Sequence, residues 1–231
     1  SKDYIAGFPS HPHRGIETVT YMLAGEFEHK DSTGGEGRMT AGDVQWMKTG
    51  SGIIHSEMPA MKEGKLHGFQ LWINMPASLK MSKPEYHYID ANEMSMHHDE
   101  DKKIKVIAGK FENAEGPIKK HNVEPIFFDV ELKQNKQFSF SIPKSHNSFV
   151  YLVDGRIKIG NLSHDNIEGS KLVLLTNGNN LKVSAETNAK FLLIAGEPIG
   201  ESIARGGPFV MNTKSEIIQA INDYNNGTFV R

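Results

Sequence analysis

A short segment occurs twice in this chain. Tyr21 to Gly25 reads YMLAG and Tyr151 to Gly155 reads YLVDG; further on, FQLWINMP (69–76) shares Phe, Leu and Pro with FLLIAGEP (191–198). A strand-like unit repeated in this way implies two related domains, each with its own core. Between and around the copies the chain reads as strands. ETVTYML, DVQWMK, FQLWINM, IFFDVEL, FSFSI, FVYLVD, RIKIG, KLVLLT and KFLLIAG are rich in β-branched and aromatic residues, with Gly, Asn or Pro at short intervals. An all-β protein of sandwiches or barrels is expected. The charged, Gly/Pro-containing stretch near residues 99–125 is expected to join the halves. The expected division is 1–115 for a first domain, 116–206 for a second, and 207–231 for a tail. One helix is expected in that tail: Thr213 and Glu216 form a capping box, Ile217, Ile218, Ile221 and Tyr224 mark an apolar face, and NNG ends it.

Composition removes several classes of function. The 231 residues carry a net charge of −2 with dispersed Lys and Arg, so direct nucleic-acid binding is not expected. No apolar run approaches the ~18 residues of a membrane span, so no membrane association is expected. With no cysteine, disulfides, thiolate nucleophiles and zinc–thiolate sites are excluded together. The opening SKDYIAGFPS lacks the apolar core of a secretory signal. A cytoplasmic protein is the expectation, with the nucleus also open in a eukaryote, and a monomer is the default.

The chemistry concentrates in two short pairs. His11 and His13 are two residues apart, and so are His55 and Glu57. On an extended strand residues i and i+2 share a face, about 6.5–7 Å apart along it, so each pair can direct two ligand atoms at one point. On a helix that spacing would send them to different faces. Pro12 fixes its own φ and pushes His11 toward extended geometry. Taken singly the bland readings prevail: H-x-H in a loop is usually solvated, and His55 after GII is more often a satisfied buried histidine. The joint pattern is more specific.

That pattern carries a resemblance. The stretch FPSHPHRGIETVTYMLAGEFEHKDSTGGEGRMTAGDVQWMKTGSGIIHSEMP resembles the pirin family, a two-domain branch of the cupins, and GPFVMNTKSEIIQAINDYNNG resembles the same family's C-terminus. The resemblance implies two cupin barrels (double-stranded β-helix, or jelly-roll) with a short C-terminal helix returning to the first domain. It makes His11, His13, His55 and Glu57 the ligands of one divalent metal. Fe(II) is the family expectation, and the ligand types also suit Mn, Co, Ni, Cu or Zn. In the general cupin pattern the acidic ligand lies four residues after the second histidine, where Glu17 stands with the strand parity of His11 and His13. In the pirin pattern it lies beside the last histidine. Glu57 is therefore ranked first, with Glu17 kept as a pocket-lining or supporting carboxylate. Similar sequences carry several strands upstream of this motif, so the first barrel is expected to lack edge strands.

The resemblance implies two functions. Some similar proteins cleave the flavonol quercetin with O₂, with a small phenolic substrate held at the metal and Glu57 or Glu17 as general base. Phe8, Trp46 and Phe69 are candidate pocket walls, although a core role fits each equally well. Others resemble metal-gated regulators that bind a transcription factor or a metabolic enzyme as protein partner. The second repeat lacks both H-x-H and a counterpart of GSGIIHSEMP (50–59), so its barrel is expected to hold no metal. MHHDEDKK (96–103) reads as a solvated charged loop. His146 reads as structural, and neither a phosphate-binding loop nor a G-x-S-x-G elbow is present.

Overall fold

In the computed structural model, residues 4–118, 123–160 and 166–230 are described. The chain divides into two compact units, Ser1–Asn92 with Ile199–Arg231, and Glu93–Pro198. The first contains β1 (Phe8–His13), β2 (Ile16–Ala24), β3 (Phe27–Asp31), β4 (Glu36–Met39), β5 (Val44–Lys48), β6 (Ile53–Pro59), β7 (His67–Asn74) and β8 (Glu85–Ile89). They form two antiparallel sheets, β1-β6-β3-β4 and β7-β2-β5-β8. Each expected strand segment is a strand in the structure.

The second unit contains β9 (Ser95–His98), β10 (Lys102–Ala108), β11 (Lys110–Phe111), β12 (Ala114–Glu115), β13 (Ile126–Leu132) and β14 (Gln137–Phe140). It continues with β15 (Asn147–Asp154), β16 (Arg156–Ile159), β17 (Ile167–Glu168), β18 (Lys171–Leu174), β19 (Leu181–Ala185) and β20 (Ala189–Gly196). Its main sheets are β18-β15-β20-β13-β10-β9 and β14-β19-β16-β17. The repeat is visible in these orders. β14-β19-β16-β17 reproduces β1-β6-β3-β4, and β18-β15-β20 reproduces β5-β2-β7, so YLVDG takes the place of YMLAG.

The division falls at 92/93 and 198/199, not at 115/116 and 206/207. Within the stretch read as a junction, residues 102–108 are ordered sheet: β10 pairs with β13 from Lys102↔Leu132 to Ala108↔Phe127. Residues 96–103 are likewise a hairpin instead of a loop, with Lys103 opposite His98 and Val106 opposite Ser95. Asp99 makes the turn, its Oδ1 accepting from the amides of Asp101 (2.8 Å) and Lys102 (2.9 Å). A run of charge resembles a solvated loop; here alternate residues pair, and Ile104 and Val106 are fully buried.

The tail contributes β21 (Ala204–Gly206), β22 (Phe209–Met211) and α1 (Lys214–Asn225) to the first unit. The capping box forms as expected, with the Thr213 side chain accepting from the Glu216 amide and the Glu216 carboxylate accepting from that of Thr213. The buried face differs from the expected one. Ile217, Ala220 and Asp223 face inward, while Ile218 and Ile221 are 59% and 42% exposed. Ile217 and Ala220 pack with Phe209, Met211 and Phe229. Asp223 holds a core position because its Oδ2 accepts from Nη1 of buried Arg14 at 2.7 Å. Arg14 also donates from Nε to the Ser51 carbonyl at 2.6 Å, and its guanidinium lies 4.4 Å from the Phe229 ring centre.

Candidate metal centre

β1 and β6 lie side by side with His11 opposite His55. Strand alternation turns His11 and His13 to one face of β1, and His55 and Glu57 to one face of β6. The three imidazoles converge: ring centres are 4.9 Å apart for His11 and His13, 4.3 Å for His11 and His55, and 5.0 Å for His13 and His55. One nitrogen from each lies within 4.8 Å of the others. Trp72 meets His13 edge-on at 5.1 Å.

The nitrogens of this cluster are short of partners. Nδ1 of His11 lies 2.8 Å from the Pro9 carbonyl, an acceptor only, so Nδ1 carries a proton and Nε2 is the nitrogen left for a ligand. Both ring nitrogens of His13 and Nε2 of His55 are buried with no hydrogen-bond partner. Burial pushes the His13 pKa down to about 4, helped by the like charge of His11 and weakly opposed by the nearby Pro208 carbonyl, which is too poorly placed to be a hydrogen-bond partner of the ring. Burial pushes His55 down to about 2, helped by His11, His13 and His29. Both rings are therefore neutral at pH 7, the form that ligates metals. Orphaned buried nitrogens are costly in a native fold, and three imidazoles converging on one point fit a divalent first-row ion.

Glu57 stands beside this cluster. It groups with His55 and with His29, a residue of β3 directly opposite it. Its Oε1 accepts from Thr20 Oγ1 (3.1 Å), and Gln70 Nε2 donates to Oε2 (2.9 Å). These partners line a cavity of about 440 Å³, with Phe8, Met22, Phe27, Leu66 and Phe69 as apolar wall and His11, Thr20, Glu57 and Gln70 as polar edge. That size suits a small aromatic ligand. Of the expected wall residues, Phe8 and Phe69 line the cavity and Trp46 does not.

Glu17 lies elsewhere. Its parity with His11 and His13 assumes one continuous strand, but Gly15 interrupts it with φ 80°. A Cβ at Gly15 would come within 2.1 Å of the Val210 carbonyl, so glycine is required twice over. β2 restarts in a new phase. Thr20, opposite Gln70, faces the cavity, whereas Glu17 is on the other face of β2 and accepts from Trp46 Nε1 at 2.6 Å. The pocket-lining role expected for Glu17 is therefore corrected by the break at Gly15.

Two residues of β3 escaped the sequence reading. His29 is 1% exposed, its ring stacked 4.8 Å from that of Tyr86. Its Nε2 lies 2.9 Å from Asp31 Oδ2 and its Nδ1 lies 3.5 Å from Nδ1 of His55. Asp31 Oδ1 accepts from the amides of Thr33 and Gly35 and from the Thr33 hydroxyl. Burial alone would raise the Asp31 pKa, but the bonds from Thr33, His29 and Gly35 together hold it below the usual carboxylate value. The available signal was the alternation of FEHKD, with Phe27, His29 and Asp31 on one side and Glu28 and Lys30 on the other.

In the second unit the strand in the place of β1 is β14, and it turns Phe138 and Phe140 toward the core. His146, the histidine expected to be structural, lies with Nε2 3.1 Å from the Glu124 carbonyl.

Two barrels of paired antiparallel sheets joined in one chain define a bicupin, and the comparisons agree with that class. The Pirin family matches residues 1–73, and the Pirin C-terminal cupin domain matches residues 127–230. The chain is 42% identical over 231 residues to a pirin-like protein of Caulobacter vibrioides, covering 99% of this chain and 83% of that one. A crystal structure of quercetin 2,3-dioxygenase from Acinetobacter baumannii superposes with a TM-score of 0.90 at 36% identity, covering 96% of this chain and 79% of that one. A bacterial pirin from Escherichia coli in complex with nickel(II) superposes with a TM-score of 0.66 at 25% identity, over 83% and 76% of the two chains. The chain belongs to the pirin family. Among the described residues no helix is long and apolar enough to cross a membrane.

Proposed function

We propose that this chain binds one divalent metal through His11, His13, His55 and Glu57 and uses it to cleave a flavonol with O₂. The observation that carries the reading is the set of orphaned, neutral imidazole nitrogens beside an apolar cavity edged by a carboxylate. The likeness to the A. baumannii quercetin 2,3-dioxygenase supports the substrate class. Fe(II) is the metal proposed; the nickel(II) pirin makes Ni(II) a sensible second choice. When bound, such an ion supplies a Lewis acid for a chelating phenol and open positions for O₂.

The chain's own residues supply the rest. Phe8, Phe27 and Phe69 present apolar surface to the flavonol rings and exclude water. Glu57 takes the proton of the 3-hydroxyl at Oε1, with Thr20 and Gln70 holding its carboxylate in place. Glu17, committed to Trp46 on the far face of β2, takes no part.

The test is anaerobic loading with Fe(II), Mn(II) or Ni(II), followed by O₂ uptake with a flavonol panel. O₂ loss should match flavonol loss, a flavone lacking the 3-hydroxyl should be inert, and His55→Ala should abolish turnover. Glu57→Gln should weaken metal uptake more than Glu17→Gln. If no loaded metal supports turnover above free metal in buffer, the dioxygenase reading fails and a metal-gated interaction protein accounts better for the same residues.

A further inference from the structure

The contacts of His29 have a direction, and one end sets it. Ionised Asp31 can only accept, so the 2.9 Å contact requires the proton of a neutral His29 to sit on Nε2. His29 Nδ1 is then an acceptor. It faces Nδ1 of His55 at 3.5 Å, long for a hydrogen bond, yet no other partner meets that atom among the described residues. Two lone pairs would repel there, so His55 carries its proton on Nδ1. Its remaining nitrogen, Nε2, is buried without a partner in a ring whose centre lies 4.3 Å from that of His11 and 5.0 Å from that of His13.

We propose that Asp31 and His29 are positioning residues that lock His55 in the Nδ1–H tautomer, so that its Nε2 lone pair is presented to the cluster. The inference rests on the metal reading above for its purpose, but the tautomer is a property of the metal-free protein. Ligating imidazoles commonly donate their second nitrogen to a carboxylate or carbonyl. His11 does so directly, to the Pro9 carbonyl. His55 has no such acceptor within reach and obtains one through a second imidazole. Asp31 is fixed for the task, because Oδ1 is held by the turn at Thr33 and Gly35 while Oδ2 alone meets His29. Stacking on Tyr86 fixes the His29 ring plane.

Asp31→Asn separates this role from a structural one. Asparagine keeps an oxygen for the turn but replaces Oδ2 with an amide donor, which would make His29 Nε2 an acceptor. The proton would move to His29 Nδ1, His55 Nδ1 would become the acceptor, and His55 Nε2 would be protonated. His29→Gln should preserve the order, because its neutral amide has one acceptor and one donor end; His29→Leu should not.

The experiment is nitrogen NMR of the histidine rings in the metal-free full chain at pH 8, followed by Ni(II) titration of each variant. Expected are Nδ1–H for His55 in the parent protein and His29→Gln, and Nε2–H in Asp31→Asn. Ni(II) affinity should be about ten- to hundredfold weaker in Asp31→Asn and His29→Leu, and near that of the parent in His29→Gln. An Nε2–H tautomer in the parent, no change in Asp31→Asn, or X-ray absorption showing His29 itself bound to Ni(II) would overturn the proposal. If the tautomers behave as expected while the parent takes up no Ni(II), the metal reading fails and the locked tautomer stands.

Discussion

In the first unit the strand Phe8–His13 turns His11 and His13 inward; in the second, the strand in the same place turns Phe138 and Phe140 inward. The phenyl rings sit among other aromatic rings: Phe138 stacks 5.8 Å from Phe111 and meets Phe191 at 5.5 Å, and Phe140 meets Phe128 at 4.9 Å. The imidazoles instead leave three buried nitrogens without a partner, and a 440 Å³ cavity opens beside them. The barrel framework is indifferent to this choice. Its strand order comes from backbone pairing and from aliphatic residues such as Val19, Val44, Val150 and Leu152, all fully buried in both copies. Whether a barrel is a core or a site depends on two inward positions of one strand and their neighbours.

The most severe way to test this is to give the first barrel the second's residues. In the double variant His11→Phe/His13→Phe the phenyl groups should be tolerated as apolar replacements for unpartnered imidazoles, with strand content unchanged. Metal uptake should fall from one equivalent per chain to none, read by metal analysis after dialysis. A variant that still binds one equivalent would mean that the ion sits elsewhere. Two equivalents on the parent protein would mean that the second barrel is not empty.

The second core should respond to truncation as a filled interior does. Phe138→Ala removes a ring packed against those of Phe111, Phe140 and Phe191 and should cost about 3–5 kcal/mol in denaturant unfolding. Loss below about 1 kcal/mol would show that this barrel is not close-packed, and the contrast with the first would lose its basis.

A third comparison concerns the tail, which packs in the first unit. Asp223→Ala leaves Arg14 buried without its carboxylate, and breaking such a pair by removing one partner costs about 3–5 kcal/mol. Helix α1 and β22 should lose hydrogen-exchange protection, while β13, β15 and β20 keep theirs. Equal loss in both sets would mean that the pair does not act locally.

The same residues show what a sequence can and cannot disclose. Strands were legible because β-branched and aromatic runs between glycines reflect local preference. That His11 shares a strand face with His13, and His55 with Glu57, was legible because a spacing of two survives inside one strand. Glu17 misled because parity was carried across Gly15, where a positive φ starts the alternation afresh. Asp223 was unreadable as a core residue, since its partner Arg14 is 209 residues away. His29 and Asp31 were hidden in a charged stretch, although only their neighbours Glu28 and Lys30 face solvent. Residues 99–125 looked like a junction because charge in an edge hairpin resembles charge in a loop. For Asp223 and for residues 102–108 a pairing across long sequence distance decided the outcome, and local pattern carries no record of it.

The smallest effect is also the subtlest, and it separates the barrels by pH. In the metal-free protein His13 and His55 have folded pKa values of about 4 and about 2, against an ordinary value of 6.5. Both are held neutral by burial, so the unfolded chain binds these protons first on acidification. Their neutrality costs nothing above pH 6.5; stability is lost as pH falls below it, until about 4 for His13 and lower still for His55. Between pH 6.5 and 5.5 the loss should be about 1 kcal/mol for each ring. The second barrel should lose less over that interval, because Phe138 and Phe140 stand on its inward strand where the first has imidazoles. Domain-resolved hydrogen exchange at the two pH values reads the difference directly. Loss of protection in β1 and β6 without loss in β14 and β19 is the expected result; parallel loss in both would show that the buried imidazoles do not set the acid sensitivity of the first barrel.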